Sequence, residues 1–198
     1  MAQKLLAEFI GTGTLALVVL ASVTVTDSVL TTPILAALTL GLFVYSIGSI
    51  SGCHINPAVT IGLWSIKKIT TPDAAKYLLS QCLGALAAFG IISSTLGGVA
   101  LALTPERMPI FMAEVIGTAL FTFGIASIVL GKVSDAASGL VIGGSLLLGI
   151  VVAVMLGSTG ILNPAVGIAL GSTSLSYILG SIAGSIVGMR TYRLLVKG

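Results

Sequence analysis

Ser51–Gly62 reads SGCHINPAVTIG, and the centre of that stretch recurs as LNPAV at Leu162–Val166. Asn is a favoured helix N-cap, Pro is favoured at the first helical position, and Ala propagates the helix. Asn56-Pro57-Ala58 and Asn163-Pro164-Ala165 therefore each predict a helix start. At average residue usage a given tripeptide occurs about once in several thousand positions, so two copies, both followed by Val, point to design rather than chance. The apolar pieces they open, 56–66 and 163–171, are about ten residues long, too short to cross a ~30 Å hydrocarbon core as helices. Pieces of that length suit re-entrant or interfacial segments.

Outward from these two motifs the chain repeats itself. KLLAEFIGTGTL from Lys4 pairs with IFMAEVIGTALF from Ile110, aligning Glu8 with Glu114 and Gly11 with Gly117. YLLSQCLGALAA from Tyr77 pairs with YILGSIAGSIVG from Tyr177, in the same order relative to the Asn-Pro-Ala copies. Long apolar segments lie at 4–26, 34–51, 74–98, 109–131, 138–157 and 174–196, joined by short connections that include 27–33, 67–73, 99–108 and 132–137. Each half, about 1–98 and 109–198, holds three spans and one short piece. Three is odd, so the second half enters the membrane upside down relative to the first, as in inverted-repeat transport folds. The expectation is an all-α membrane protein in one transmembrane domain over 1–198, six spanning helices plus two re-entrant half-helices.

Composition requires lipid. Of 198 residues, 56% are hydrophobic and 8% charged, and the mean hydropathy is +1.18. A soluble domain would be about one quarter charged. In lipid the backbone must pair within helices or a closed barrel, and apolar runs near 20 residues fit helices rather than short alternating strands. Residues 5–25 read as a retained span rather than a signal peptide, since no cleavage-site pattern follows Lys4. Cys53 and Cys82 lie in apolar stretches and suggest neither a disulfide framework nor a metal site.

The net charge of +3 does not indicate nucleic acid, because the basic residues form no soluble face. They read as topology. With the N-terminus inside, Lys4, Lys67, Lys68, Lys76, Lys132, Arg190, Arg193 and Lys197 fall on the cytoplasmic side and only Arg107 outside. Both termini are then cytoplasmic, in a plasma-membrane protein.

Inverted halves let the two short helices meet tip to tip near the bilayer midplane. Each helix N-terminus carries roughly +0.5 of an elementary charge, so the pair disfavours cations, hydronium included. The oxygen of each Asn amide can hold its own helix start while the NH₂ turns to a lumen and donates to a passing solute. A water accepting from both Asn56 and Asn163 is badly oriented to relay a proton. The alternative is that both motifs merely cap buried helices.

SGCHINPAVTIG, the AEFIGT and AEVIGT starts, and Gln81 in the third span resemble the major intrinsic protein family of aquaporins and aquaglyceroporins. The resemblance covers essentially the whole chain. It implies six tilted helices and two half-helices around a pore, four subunits per assembly, and a passive channel rather than an enzyme. No cofactor is implied. Glu8 and Glu114 sit within apolar spans, where an ionised carboxylate costs about 2.5–3.5 kcal/mol and so needs partners. The resemblance implies that they accept hydrogen bonds from the re-entrant loops, with a proton relay as the sharper alternative. His54 fixes its loop or senses pH. Cys53 is a thiol facing the lumen or an inert buried one.

The chain departs from the family at its selectivity filter. The resemblance places an arginine three residues after the second motif's Asn, where this chain has Val166. Gapless counting from the motifs puts the other filter positions at Ala36, Val151 and Gly160. Gly167 stands where glycerol-selective relatives carry Asp. A small apolar filter predicts a wide, weakly selective pore for neutral solutes such as water, glycerol, urea, ammonia or metalloid acids, with weakened cation exclusion. A secondary transporter is the first rival, a structural membrane protein with a closed pore the second. No nucleophile–base set, metal cluster or nucleotide loop supports an enzyme.

Overall fold

A computed structural model describes residues 1–25, 30–96 and 106–197. Among them the chain forms α1 (Ala2–Thr24), α2 (Thr32–Ser51), α3 (Pro57–Ser65), α4 (Thr71–Thr95), α5 (Met108–Val129), α6 (Ser138–Met155), α7 (Pro164–Ala169) and α8 (Leu175–Lys197). A 3-10 turn at Asp135–Ala137 precedes α6, and the described residues contain no strand. Pro33, Pro57, Pro72, Pro109 and Pro164 stand in the first turns of α2, α3, α4, α5 and α7, where a missing N–H costs nothing. The expected connections at 27–33 and 99–108 fall partly outside the described residues, as do the far ends of the spans expected at 4–26 and 74–98.

Five helices, α1, α2, α4, α5 and α6, are long and apolar enough to cross a membrane. The sixth, α8, has 23 residues, about 34 Å at 1.5 Å per residue, and carries Arg190 and Arg193 towards its end. The half-helices α3 and α7 have 9 and 6 residues.

Pairing follows the repeat. In each half the first span packs on the second and the third, α1 on α2 and α4, α5 on α6 and α8, and the halves meet along α2 and α6. Small residues permit that seam. A methyl on Gly41 would sit 2.9 Å from the Gly139 carbonyl oxygen, and one on Gly139 would sit 2.5 Å from that of Gly41. Lipid gives helices little hydrophobic reason to associate, so close backbone approach at small residues does much of the holding. The half-helices cross over: α3 packs chiefly on α8 of the other half and α7 on α4.

Candidate functional site: opposed helix tips between two cavities

Each half-helix begins as its sequence dictates. Asn56 is the N-cap of α3 and its Oδ1 accepts from Ala58 N at 2.8 Å. Asn163 caps α7, with Oδ1 accepting from Ala165 N at 3.1 Å and Val166 N at 3.4 Å. The two tips meet. Asn56 Nδ2 donates to Leu162 O at 2.8 Å, and Asn163 Nδ2 donates to Ile55 O at 3.1 Å. An amide NH₂ has two hydrogens, so each Asn commits one across the junction and keeps a second. Both side chains line the same cavity.

The approaches to the tips share an unusual backbone. Cys53 and Ile55 have φ of 49° and 37°, and their counterparts Gly160 and Leu162 have 70° and 50°. A β-branched residue such as Ile55 rarely adopts positive φ, so the surroundings must impose it. Glu8 and Glu114 do so. Glu8 Oε1 accepts from Ser51 Oγ at 2.7 Å and His54 N at 3.0 Å, and Oε2 accepts from Ile55 N and Gln81 Nε2, both at 2.7 Å. Glu114 Oε1 accepts from Ser158 Oγ and from Ile161 N at 3.0 Å, and Oε2 from Leu162 N at 2.8 Å. Both carboxylates are wholly buried. A carboxylate is an acceptor with about four lone-pair sites, which suits a loop that must turn its N–H groups inward.

Gln81 also donates to Thr60 Oγ1 at 2.9 Å, and His54 Nδ1 lies 3.1 Å from that hydroxyl. His54 thus sits within a side-chain network that extends to the Tyr77 ring, 5.0 Å away between centroids. Tyr77 itself donates its hydroxyl to Ser51 O at 2.8 Å. In the second half Ser181, not Gln81's amide, occupies the matching place, and it bonds only to its own helix at Tyr177 O.

Two cavities flank the junction. One, of about 270 Å³, lies on the side of α7 and is bounded by Ala36, Ile150, Gly160 and Val166 as well as both Asn residues. The other, of about 560 Å³, includes Cys53, Val59, Ile125 and Ile142 on its wall. Leu40, His54 and Phe121 border both, which makes them the neck between the chambers. Cys53 is 5% exposed and borders the second chamber.

One expected filter position borders neither chamber. Val151 is 41% exposed and is not on the wall of either chamber, whereas Ile150, one residue earlier, is. Ile150, Leu146 and Val154 stand one helical turn apart on the face of α6 that meets the cavity, and Val151 is turned about 100° away. Leu40 lies in a helix without a motif and Phe121 at the far end of the AEVIGT landmark, and only their apolar bulk could have singled them out. Ser51 and Ser158, aligned by the repeat, were findable and were missed. So was Thr159, which lines the first chamber and donates its hydroxyl to the Tyr177 oxygen at 3.0 Å.

The profile of the major intrinsic protein family matches residues 1–172. Aquaporin AqpM of Methanothermobacter thermautotrophicus is 34% identical over 178 residues, covering 78% of this chain and 72% of that protein. Glycerol uptake facilitator protein-like 6 of Lactiplantibacillus plantarum is 33% identical over 204 residues, covering 93% and 94%. Among solved structures, the aquaglyceroporin from Plasmodium falciparum superposes with a TM-score of 0.72 at 21% identity over 98% of this chain and 94% of that one. The architecture is that of a multi-pass membrane channel, not an enzyme. The chain belongs to the major intrinsic protein family.

Proposed function

We propose that the chain is a passive pore for uncharged solutes larger than water, glycerol, urea, ammonia and metalloid acids among them, as well as for water. The observation that carries this reading is the apolar boundary of the 270 Å³ chamber, where Ala36, Ile150, Gly160 and Val166 stand and no charged side chain does. Without a fixed guanidinium, a solute meets neither a narrow charged ring nor a strong donor there. Glu8 and Glu114 support passivity: both are engaged by their loops and neither borders a chamber, so neither is free for proton-coupled transport.

Cation exclusion falls to the paired N-termini of α3 and α7, each with partial positive charge. With Val166 in place of arginine the outer barrier is weaker. The two uncommitted amide hydrogens of Asn56 and Asn163 serve as donors to a passing oxygen. Four copies assemble in the plasma membrane with both termini cytoplasmic; native mass spectrometry in detergent tests the number of copies. Stopped-flow swelling of proteoliposomes with a solute panel tests permeation. Water passage with glycerol and urea both excluded overturns it.

A further inference from the structure

We propose that the end of the bundle where α3 and α8 finish holds a binding site for the phosphate of an anionic phospholipid. A surface cavity of about 580 Å³ opens there, bordered by Trp64, Lys67, Lys68, Thr70, Thr71 and Arg190, and no carboxylate borders it. It lies beside the pore, and none of the pore's filter positions contributes to it.

Its depth places it at the membrane surface. Arg193 Nη1 donates to Ile66 O at 3.1 Å, at the end of α3, and Lys68 Nζ donates to Val129 O at 3.0 Å, at the end of α5. Three helices therefore stop at this level, and the chain's basic residues collect around their ends. Trp64 is 46% exposed and donates Nε1–H to Thr71 Oγ1 at 2.9 Å. An amphipathic ring half-exposed at a helix end is characteristic of the headgroup zone.

Lys67 breaks a pattern that three other described helix ends keep. Four helices close with the same paired bonds: Lys67 N to Trp64 O with Lys68 N to Leu63 O in α3, and the equivalents in α5, α6 and α7. The left-handed residue is Gly131 in α5, Gly157 in α6 and Gly171 in α7, but Lys67, φ 63°, in α3. Glycine is the residue of least strain there, so lysine at this terminus carries a backbone cost that glycine would not. Among the described residues neither the Lys67 ammonium nor the Arg190 guanidinium has a hydrogen-bond or ion-pair partner. Two unpaired cations, a hydroxyl pair and a half-exposed indole at headgroup depth match a phosphodiester with its acyl chains running down the helices. Asp73, the nearest carboxylate in sequence, lies 3.7 Å from Lys76.

Native mass spectrometry of the purified protein, released from mixed micelles of equimolar phosphatidylglycerol and phosphatidylcholine, tests the site. The parent retains phosphatidylglycerol selectively. The double variant Lys67→Gln/Arg190→Gln loses that selectivity by about thirtyfold, two cations' worth of surface attraction. Lys132→Gln, a basic change outside the cavity, and the swap Lys67→Arg/Arg190→Lys both keep it. Solute permeability in pure phosphatidylcholine vesicles, equal in parent and double variant, shows that the variant is folded; if it is not, Lys67→Gly, which relaxes the turn, replaces it. Selectivity unchanged by the double variant overturns the proposal, and so does full displacement by millimolar inorganic phosphate, which would make the site one for the free anion.

Discussion

Asn56 and Asn163 each donate a hydrogen bond to the carbonyl that precedes the other, at 2.8 Å to Leu162 and 3.1 Å to Ile55. The amides therefore both cap their own helices and tie the two helices together. Asn163→Ala removes two bonds to backbone N–H groups and one across the junction. A lost cap costs about 1 kcal/mol and an orphaned buried acceptor about as much again, so a loss of about 2–3 kcal/mol is expected. Thermal unfolding in detergent measures it; a melting temperature equal to the parent's refutes the cross-tie.

Glu8→Gln is expected to destabilise more than Glu114→Gln. Both oxygens of Glu8 receive two donors, so either placement of the new NH₂ points a donor at donors. Glu114 Oε2 receives one, from Leu162 N, so an amide there offends less. The expected cost is about 3 kcal/mol for Glu8 and about 1–2 kcal/mol for Glu114. Denaturation of the two variants side by side decides the order, and a reversed order rejects the explanation.

Two separable sieves are expected in the proposed pore. Val166→Arg should narrow the solute range at the 270 Å³ chamber, reducing urea and glycerol flux at least tenfold while water flux falls less. Phe121→Ala removes the largest side chain of the neck shared with Leu40 and His54 and should raise glycerol flux several-fold. Proteoliposome swelling reports both. If Phe121→Ala leaves every flux unchanged, the neck does not limit passage.

A pH dependence is expected outside the membrane spans. Glu106 accepts from the Ser176 hydroxyl at 2.8 Å and from Leu175 N and Ser176 N at the start of α8. The Ser176 hydroxyl first, and then those backbone bonds, hold its carboxyl below its ordinary range. A carboxylate with a lowered folded value adds stability above the unfolded value, and that stability is lost as pH falls through the folded one. Melting temperature should drop between about pH 5 and pH 3, and Glu106→Gln should flatten that part of the profile. A variant as acid-sensitive as the parent rules out Glu106 as the cause.

The architecture was legible because lipid simplifies the code. Apolar runs, prolines at helix starts and two Asn-Pro-Ala caps specify α2 through α7 to within about three residues, since the backbone has no solvent to bond with. Roles that depend on facing were harder. Ala36, Gly160 and Val166 border the chamber, the last two because they stand within three residues of a motif. Val151 failed because α6 has no such anchor, and one residue on a helix turns a side chain from cavity to outer face. The neck was invisible for a related reason: Leu40 and Phe121 are ordinary apolar residues until two helices from opposite halves bring them to the same lumen.

The crossing of the half-helices sets an order on assembly. Pro57–Ser65 leaves the ribosome more than a hundred residues before Leu175–Lys197, the helix it chiefly rests on. Until that last helix arrives the early stub has lost water without gaining its lasting neighbour. A nascent chain must therefore shelter it, and a chain cut before Leu175 would leave both the stub and its Glu8 clasp without a floor.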